Sequence, residues 1–250
     1  MKPLPITDPK RLGMPTRALV AVAPELRPSR PRSVLCGVEP ALASLDAAHQ
    51  AAEIAGAGRL AFVSVTTHAG RPEDDMYLEA AVFLARRDRG ARDVRRLDGG
   101  RPLAHVLALA SRHDLFVVGA SAVAGESNPL VRAAVRRARV PVLVARRLLR
   151  ADTLGDRVVV VFGDEGGDAR AAALAAELAR NAGAELAATV IDHGGSPDAV
   201  FDAARRAGAT LIAVGGLAAP RWRSAGDLAV TVAERAPCSV LVARGRDTPR

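Results

Sequence analysis

Two stretches of the chain follow one plan. The first runs from Leu115-Phe116-Val117-Val118 through Gly119 and a loop of small residues into a helix-periodic segment, and ends on the apolar run Val140 to Val144. The second repeats it: Leu211 to Val214 and Gly215 answer the first strand and its glycine, and Val240-Leu241-Val242-Ala243-Arg244 answers Val142-Leu143-Val144-Ala145-Arg146. Strand, glycine, helix, strand, written twice, predicts a chain built from tandem α/β repeats.

The earlier parts of the two copies align as well. Ala175-Ala176-Glu177-Leu178-Ala179 repeats Ala51-Ala52-Glu53-Ile54-Ala55 at an offset of 124, and Leu186-Ala187 repeats Leu60-Ala61 at 126. By Gly194-Gly195-Ser196-Pro197, the counterpart of Gly99-Gly100-Arg101-Pro102, the offset has fallen to 95, so the second copy lacks about 31 residues. That is the length of one helix and one strand, the segment between Ala69 and Asp98. Five strands are expected in the first copy and about four in the second. The proline of each Gly-Gly motif reads as the first residue of the helix that follows, with Ser196 as the N-cap in the second copy.

The expected organisation is a Pro-rich leader over 1–32, with one strand at most (Ala18 to Ala23), a first domain over 33–150 and a shortened second domain over 157–246. In the first domain, which starts at Ser33, the pattern predicts strands at Val34 to Val38, Leu60 to Val65 and Asp93 to Leu97. Helices are expected over about 41–55, with Leu42, Leu45, Ala48, Ala52 and Ala55 on one face, and over 73–88, with Tyr77, Ala80, Ala81 and Leu84 on one face. The second domain opens with Arg157 to Phe162, then a helix from about Asp168, its predicted N-cap. Apolar strands alternating with helices imply parallel sheets covered on both faces, a Rossmann-like arrangement. In such folds a ligand sits beyond the C-terminal strand ends, which points to the loops after Val38, Val118, Phe162 and Val214.

Composition narrows the function classes. The net charge of +8 comes almost entirely from arginine, but the arginines are dispersed and aromatics make up only 3%, leaving few platforms for stacking bases. Nucleic acid is therefore not the expected partner; a solvated basic surface is, with weak binding of an acidic partner as the alternative. No unbroken apolar run reaches the ~18 residues of a membrane span, and MKPLPITDPKRLG lacks the apolar stretch of a signal peptide, so a cytoplasmic protein without membrane contact is expected. Cys36 and Cys238 lie in separate apolar runs and read as buried thiols, and the five histidines show no ligand spacing. Ser64, Ser121, Ser127 and Ser224 have no histidine and carboxylate partners in any recognisable pattern, so no catalytic constellation is expected.

The order of elements, Gly119 and Gly215 at the strand ends, and Arg235-Ala236-Pro237-Cys238-Ser239-Val240-Leu241-Val242 resemble the universal stress protein family in tandem form, over roughly Ser33 to Arg244. The resemblance implies an adenine-nucleotide-binding-like (adenine nucleotide alpha hydrolase-like) α/β fold, a link to stress response, and pairing of two domains through their last strands. The two repeats would then pair with each other, with further homodimerisation open.

Many members of that family bind ATP through glycines that let backbone N–H groups and a helix N-terminus meet phosphate. The positions answering that motif here are Glu39, Gly119, Gly125, Asn128 and Arg132 in the first repeat, and Gly215 and Gly226 in the second. The match is degenerate. Ala122 replaces a glycine, Asn128-Pro129 stands where glycine and a hydroxyl residue belong, and Asp227 replaces the hydroxyl residue after Gly226. Asn128 reads as an N-cap with Pro129 at the first helical position, and a carboxylate at Asp227 repels the anion that the site would bind. Trp222 is read as filling the vacated space, and Gly163 to Asp168 as a turn.

The expectation is a non-enzymatic stress protein acting through an unidentified protein partner, without a cofactor. The alternative is an ATP-binding sensor, at most a weak ATPase, with Arg132 or Arg136 pairing with phosphate in the first repeat. A third reading, an anion- or nucleic-acid-binding module, rests on charge alone.

Overall fold

The structure is a computed structural model, and it describes residues 31–64, 72–89, 93–97, 103–120, 128–146, 154, 157–162, 167–182, 185–190, 196–216 and 225–244. The leader before residue 31, Gly125, Trp222 and the turn over 163–166 lie outside the described residues. The chain divides into two compact units. One spans Arg30–Arg147 and takes in Ala233–Arg235, and the other is built from Leu148–Val232 and Ala236–Arg250. They are called here the N-terminal and C-terminal units.

The N-terminal unit runs β1 (Ser33–Val38), α1 (Ala43–Ala55), β2 (Arg59–Ser64), α2 (Pro72–Arg89), β3 (Asp93–Leu97), α3 (Leu103–Ala110), β4 (Leu115–Gly119), α4 (Pro129–Arg137), β5 (Val142–Ala145). Its strands are parallel, in the order β3-β2-β1-β4-β5. Every residue of β1, β4 and β5 is buried, which is what unbroken apolar runs require of a sheet covered on both faces. Phe62 and Phe116 are the largest fully buried side chains. Asp114 closes the entry to β1, its Oδ2 accepting from the N–H groups of Arg32 (2.8 Å) and Ser33 (3.0 Å).

The helical faces match the expected ones in part: Ala48, Ala52, Ala55 and Ala81 are buried as expected. In α1 the buried set is Ser44, Ala47, Ala48, Gln50, Ala51, Ala52, Ile54 and Ala55, while Leu42, just before the helix, is 69% exposed. In α2 the buried stripe is Leu78, Ala81 and Ala85; of the expected Tyr77, Ala80, Ala81 and Leu84, Ala81 is buried and the other three are half-buried, the stripe being centred one residue further on.

The C-terminal unit runs β6 (Arg157–Phe162), α5 (Gly167–Ala182), β7 (Glu185–Val190), α6 (Pro197–Ala207), β8 (Leu211–Gly216), α7 (Ala225–Arg235, whose last three residues belong to the N-terminal unit), β9 (Ser239–Arg244), with parallel order β7-β6-β8-β9. Its element order is that of the N-terminal unit without counterparts of α2 and β3. α5 begins at Gly167, so Asp168 is its second residue and not the residue outside it that caps. α6 begins as its sequence predicts: Ser196 accepts from Ala199 N–H and Pro197 occupies the first turn. It ends at Gly208, in the left-handed conformation (φ 58°, ψ 40°) that glycine adopts without strain. Cys36 and Cys238 are both buried and in no disulfide, and burial pushes the Cys36 thiol well above the usual cysteine range.

Candidate functional site

Strand order in the N-terminal unit reverses between β1 and β4: β2 and β3 follow on one side, β5 on the other. The crevice at such a reversal is where ligands of open α/β sheets bind. Glu39 follows β1, Gly119 and Ala120 end β4, and α4 starts at Pro129 behind its cap Asn128. Three of the sequence-predicted positions, Glu39, Gly119 and Asn128, therefore come to one end of one sheet.

Their chemistry is inward. The Asn128 side chain accepts from Leu130 N–H at 2.8 Å and from Val131 N–H at 3.1 Å, and its backbone carbonyl accepts from Arg132 N–H at 3.0 Å. Pro129 has no N–H. Each of the first four residues of α4 is thus either without a donor or already bonded. A helix N-terminus binds phosphate through such open donors, and this one has none left.

A carboxylate approaches the same cap. Asn128 Nδ2 donates to Glu39 Oε2 at 2.8 Å, so one amide group serves the helix with its oxygen and the acid with its nitrogen. Burial pushes the Glu39 carboxyl above the usual carboxylate range, and the Asn128 hydrogen bond offsets part of that rise. Glu39 is also held by its backbone: its N–H donates to Ser44 Oγ and its carbonyl accepts from the Ser44 hydroxyl, both at 2.8 Å. Ser44, on the first turn of α1, is a positioning residue that the sequence pattern did not single out.

Gly119 has a packing explanation. A Cβ there would stand 2.5 Å from the Ala43 carbonyl oxygen and 3.0 Å from Ser44 N, so only glycine lets the end of β4 pass under the start of α1. Arg132 is committed as well: its Nε and one terminal nitrogen donate to the Glu234 carboxylate at 3.2 to 3.3 Å, within the N-terminal unit to which Ala233–Arg235 belongs. Arg146 donates to the carbonyls of Ala233 and Glu234 at the same helix end. Arg136 is exposed.

In the C-terminal unit, Gly215 is buried within β8 opposite Ala243. Gly226 and Asp227 are the second and third residues of α7, which places Asp227 in its first turn. Among the described residues no group of three His, Cys, Asp or Glu side chains could hold a metal ion, and no helix is long and apolar enough to cross a membrane.

No protein-family model matches the chain, and no curated protein matches it. Solved structures do. A universal stress protein from Archaeoglobus fulgidus superposes with a TM-score of 0.63 at 14% identity, covering 86% of this chain and 98% of its own. A functionally unknown protein from Pseudomonas aeruginosa PAO1 gives 0.60 at 17% identity, with 87% and 94% covered. A third, from Pseudomonas aeruginosa UCBPP-PA14 and assigned only provisionally as a universal stress protein, gives 0.60 at 18% identity over the same shares. The chain has the fold of the universal stress proteins.

Proposed function

We propose that this chain is a non-enzymatic, tandem universal-stress-type protein of the cytoplasm that works in stress response through protein contacts, its nucleotide sites having been given up. The observation that carries this reading is the self-satisfied start of α4. Pro129 removes one donor, Asn128 engages the next three, and Glu39 brings an acid to the place where a phosphate would need positive potential. Two features support it: Arg132, the cation best placed by sequence to meet a phosphate, lies on Glu234, and Asp227 stands in the first turn of α7.

The test is calorimetric titration of the full chain with ATP and Mg²⁺, beside Asp227→Ser. The expected result is no heat of binding for the wild type up to millimolar nucleotide, about −4 kcal/mol or weaker. Micromolar binding by the wild type, about −8 kcal/mol, would overturn the reading and make the protein a nucleotide sensor. A gain of binding in Asp227→Ser alone would assign the block in the C-terminal unit to that carboxylate.

A further inference from the structure

The end of the N-terminal unit opposite Glu39 carries a different feature. Because β2, β1, β4 and β5 are parallel neighbours, their first residues share one edge. Each is entered beside an exposed arginine: Arg59 is the first residue of β2, Arg32 immediately precedes β1, and Arg112 and Arg139 each stand three residues before β4 and β5. With strands about 4.8 Å apart, the four entries form a row about 15 Å wide. Arg136 and Arg137, exposed at the end of α4, extend it.

Helix-end electrostatics accounts for part of this row. Arg112 and Arg139 lie two residues past α3 and α4, where a cation complements the helix dipole. That dipole amounts to about half a charge, so each arginine keeps an excess, and Arg32 and Arg59 adjoin no helix end closely enough to be so used. Among the residues whose side chains are described, no ion pair engages the guanidinium of Arg32, Arg59, Arg112 or Arg139; Asp93, the register partner of Arg59, lies outside them. Asp114, an exposed carboxylate at this edge, accepts from the backbone N–H groups of Arg32 and Ser33 through Oδ2. β3, the next strand out, opens with Asp93 and ends the row. Among the described residues the C-terminal unit has one arginine at the corresponding edge, Arg157 opening β6: β7 opens with Glu185, and Thr210 and Cys238 precede β8 and β9.

We infer that this arginine row is a docking surface for an acidic protein segment. A single row of cations matches a single line of anions, which an extended segment with acidic residues at alternate positions supplies every ~6.7 Å. Double-stranded DNA presents two phosphate backbones flanking a groove about 12 Å wide, and the row offers no projecting helix or ribbon to enter it. The planar guanidinium suits carboxylates through paired hydrogen bonds.

The probe is a fluorescein-labelled twelve-residue peptide of alternating Glu and Ser, titrated with the full chain at about 50 mM salt, where a Debye length near 14 Å leaves surface charge effective. Two variants change net charge equally: Arg59→Glu with Arg139→Glu on the row, and Arg205→Glu with Arg206→Glu on the exposed face of α6. Saturable binding that falls about tenfold or more (1.4 kcal/mol) in the first variant, and about twofold or less in the second, supports the row. Absence of saturable binding, equal loss in both variants, or tighter binding of a 20-base-pair DNA duplex than of the peptide overturns it. Should circular dichroism show the first variant unfolded, Arg59→Gln with Arg139→Gln decides in its place, by the same comparison with Arg205→Gln and Arg206→Gln. ATP calorimetry is independent of this outcome.

Discussion

Asn128 ties Glu39 to α4: its Nδ2 donates to Glu39 Oε2 at 2.8 Å while its Oδ1 holds the N–H groups of Leu130 and Val131. The two residues are 89 positions apart, and together they put an acid of this chain's own where the helix start would otherwise receive a ligand's negative charge. The pair should therefore bear on stability.

Asn128→Ala removes the cap and leaves Glu39 without its donor, and should cost about 1 to 2 kcal/mol in urea unfolding at neutral pH. Asn128→Asp retains capping chemistry but opposes two carboxylates. It should therefore be less stable than Asn128→Ser at pH 7, with the gap closing as the pH falls toward 4 and the pair takes up a proton. A constant gap across that range would mean that the two groups do not share an environment in solution.

Glu39→Gln reports the burial of the acid directly. The folded-state carboxyl is raised, so the native protein keeps its proton to higher pH than the unfolded chain does. Stability is then fully retained below the unfolded-state value, near 4.3, and declines as pH rises through the folded-state one. Glutamine can still accept from Asn128 and has no proton to lose. The stability difference between Glu39→Gln and wild type should be smallest at pH 4 and grow in favour of the variant toward pH 7.5, read from paired denaturant melts.

Strands were legible because their apolar runs are continuous: β2 falls one residue from its expected span, and β3 and β6 fall on theirs. The Asn128 and Ser196 caps were legible for a similar reason, since a cap is decided by side chains within three residues of the helix. Faces were read less well. The alanines of the expected faces, Ala48, Ala52, Ala55 and Ala81, are buried, but Leu42 is exposed and Tyr77 and Leu84 half-buried, while Leu78 and Ile54, one step off those faces, are buried in their place. The contacts that define the site could not be read at all. Glu39 to Asn128 and Arg132 to Glu234, the latter 102 residues apart, exist only once the topology brings those elements together.

The Arg132 to Glu234 pair should matter little to stability. The arginine side chain is 43% exposed and the glutamate 12%, and pairs so open to solvent contribute about 0 to 1 kcal/mol. Arg132→Ala should shift the unfolding midpoint only within that range, less at 0.5 M salt than at 0.05 M. It should also leave ATP titrations unchanged, since the guanidinium is not reserved for phosphate.

Gly119 separates a packing role from a ligand role most sharply. A methyl group at Gly119 would meet three backbone atoms, the carbonyl oxygen and carbon of Ala43 at 2.5 and 2.6 Å and Ser44 N at 3.0 Å. None can swing aside, because Ser44 is bound twice to Glu39 and Ala43 begins α1. Gly119→Ala should therefore cost about 1 to 3 kcal/mol. Gly37, on the neighbouring strand, is the control: a methyl there meets the Phe116 ring edge at 3.3 Å and a Leu130 methyl at 3.5 Å, side chains that can yield by tenths of an ångström. There the loss of unfolded-chain entropy, worth about 0.4 to 1 kcal/mol in favour of alanine, should nearly offset the crowding. Urea melts of the two variants should thus differ by more than about 1 kcal/mol. Equal melts, with altered nucleotide binding in Gly119→Ala alone, would mean that the glycine is there to let a ligand approach and not to let β4 pass α1.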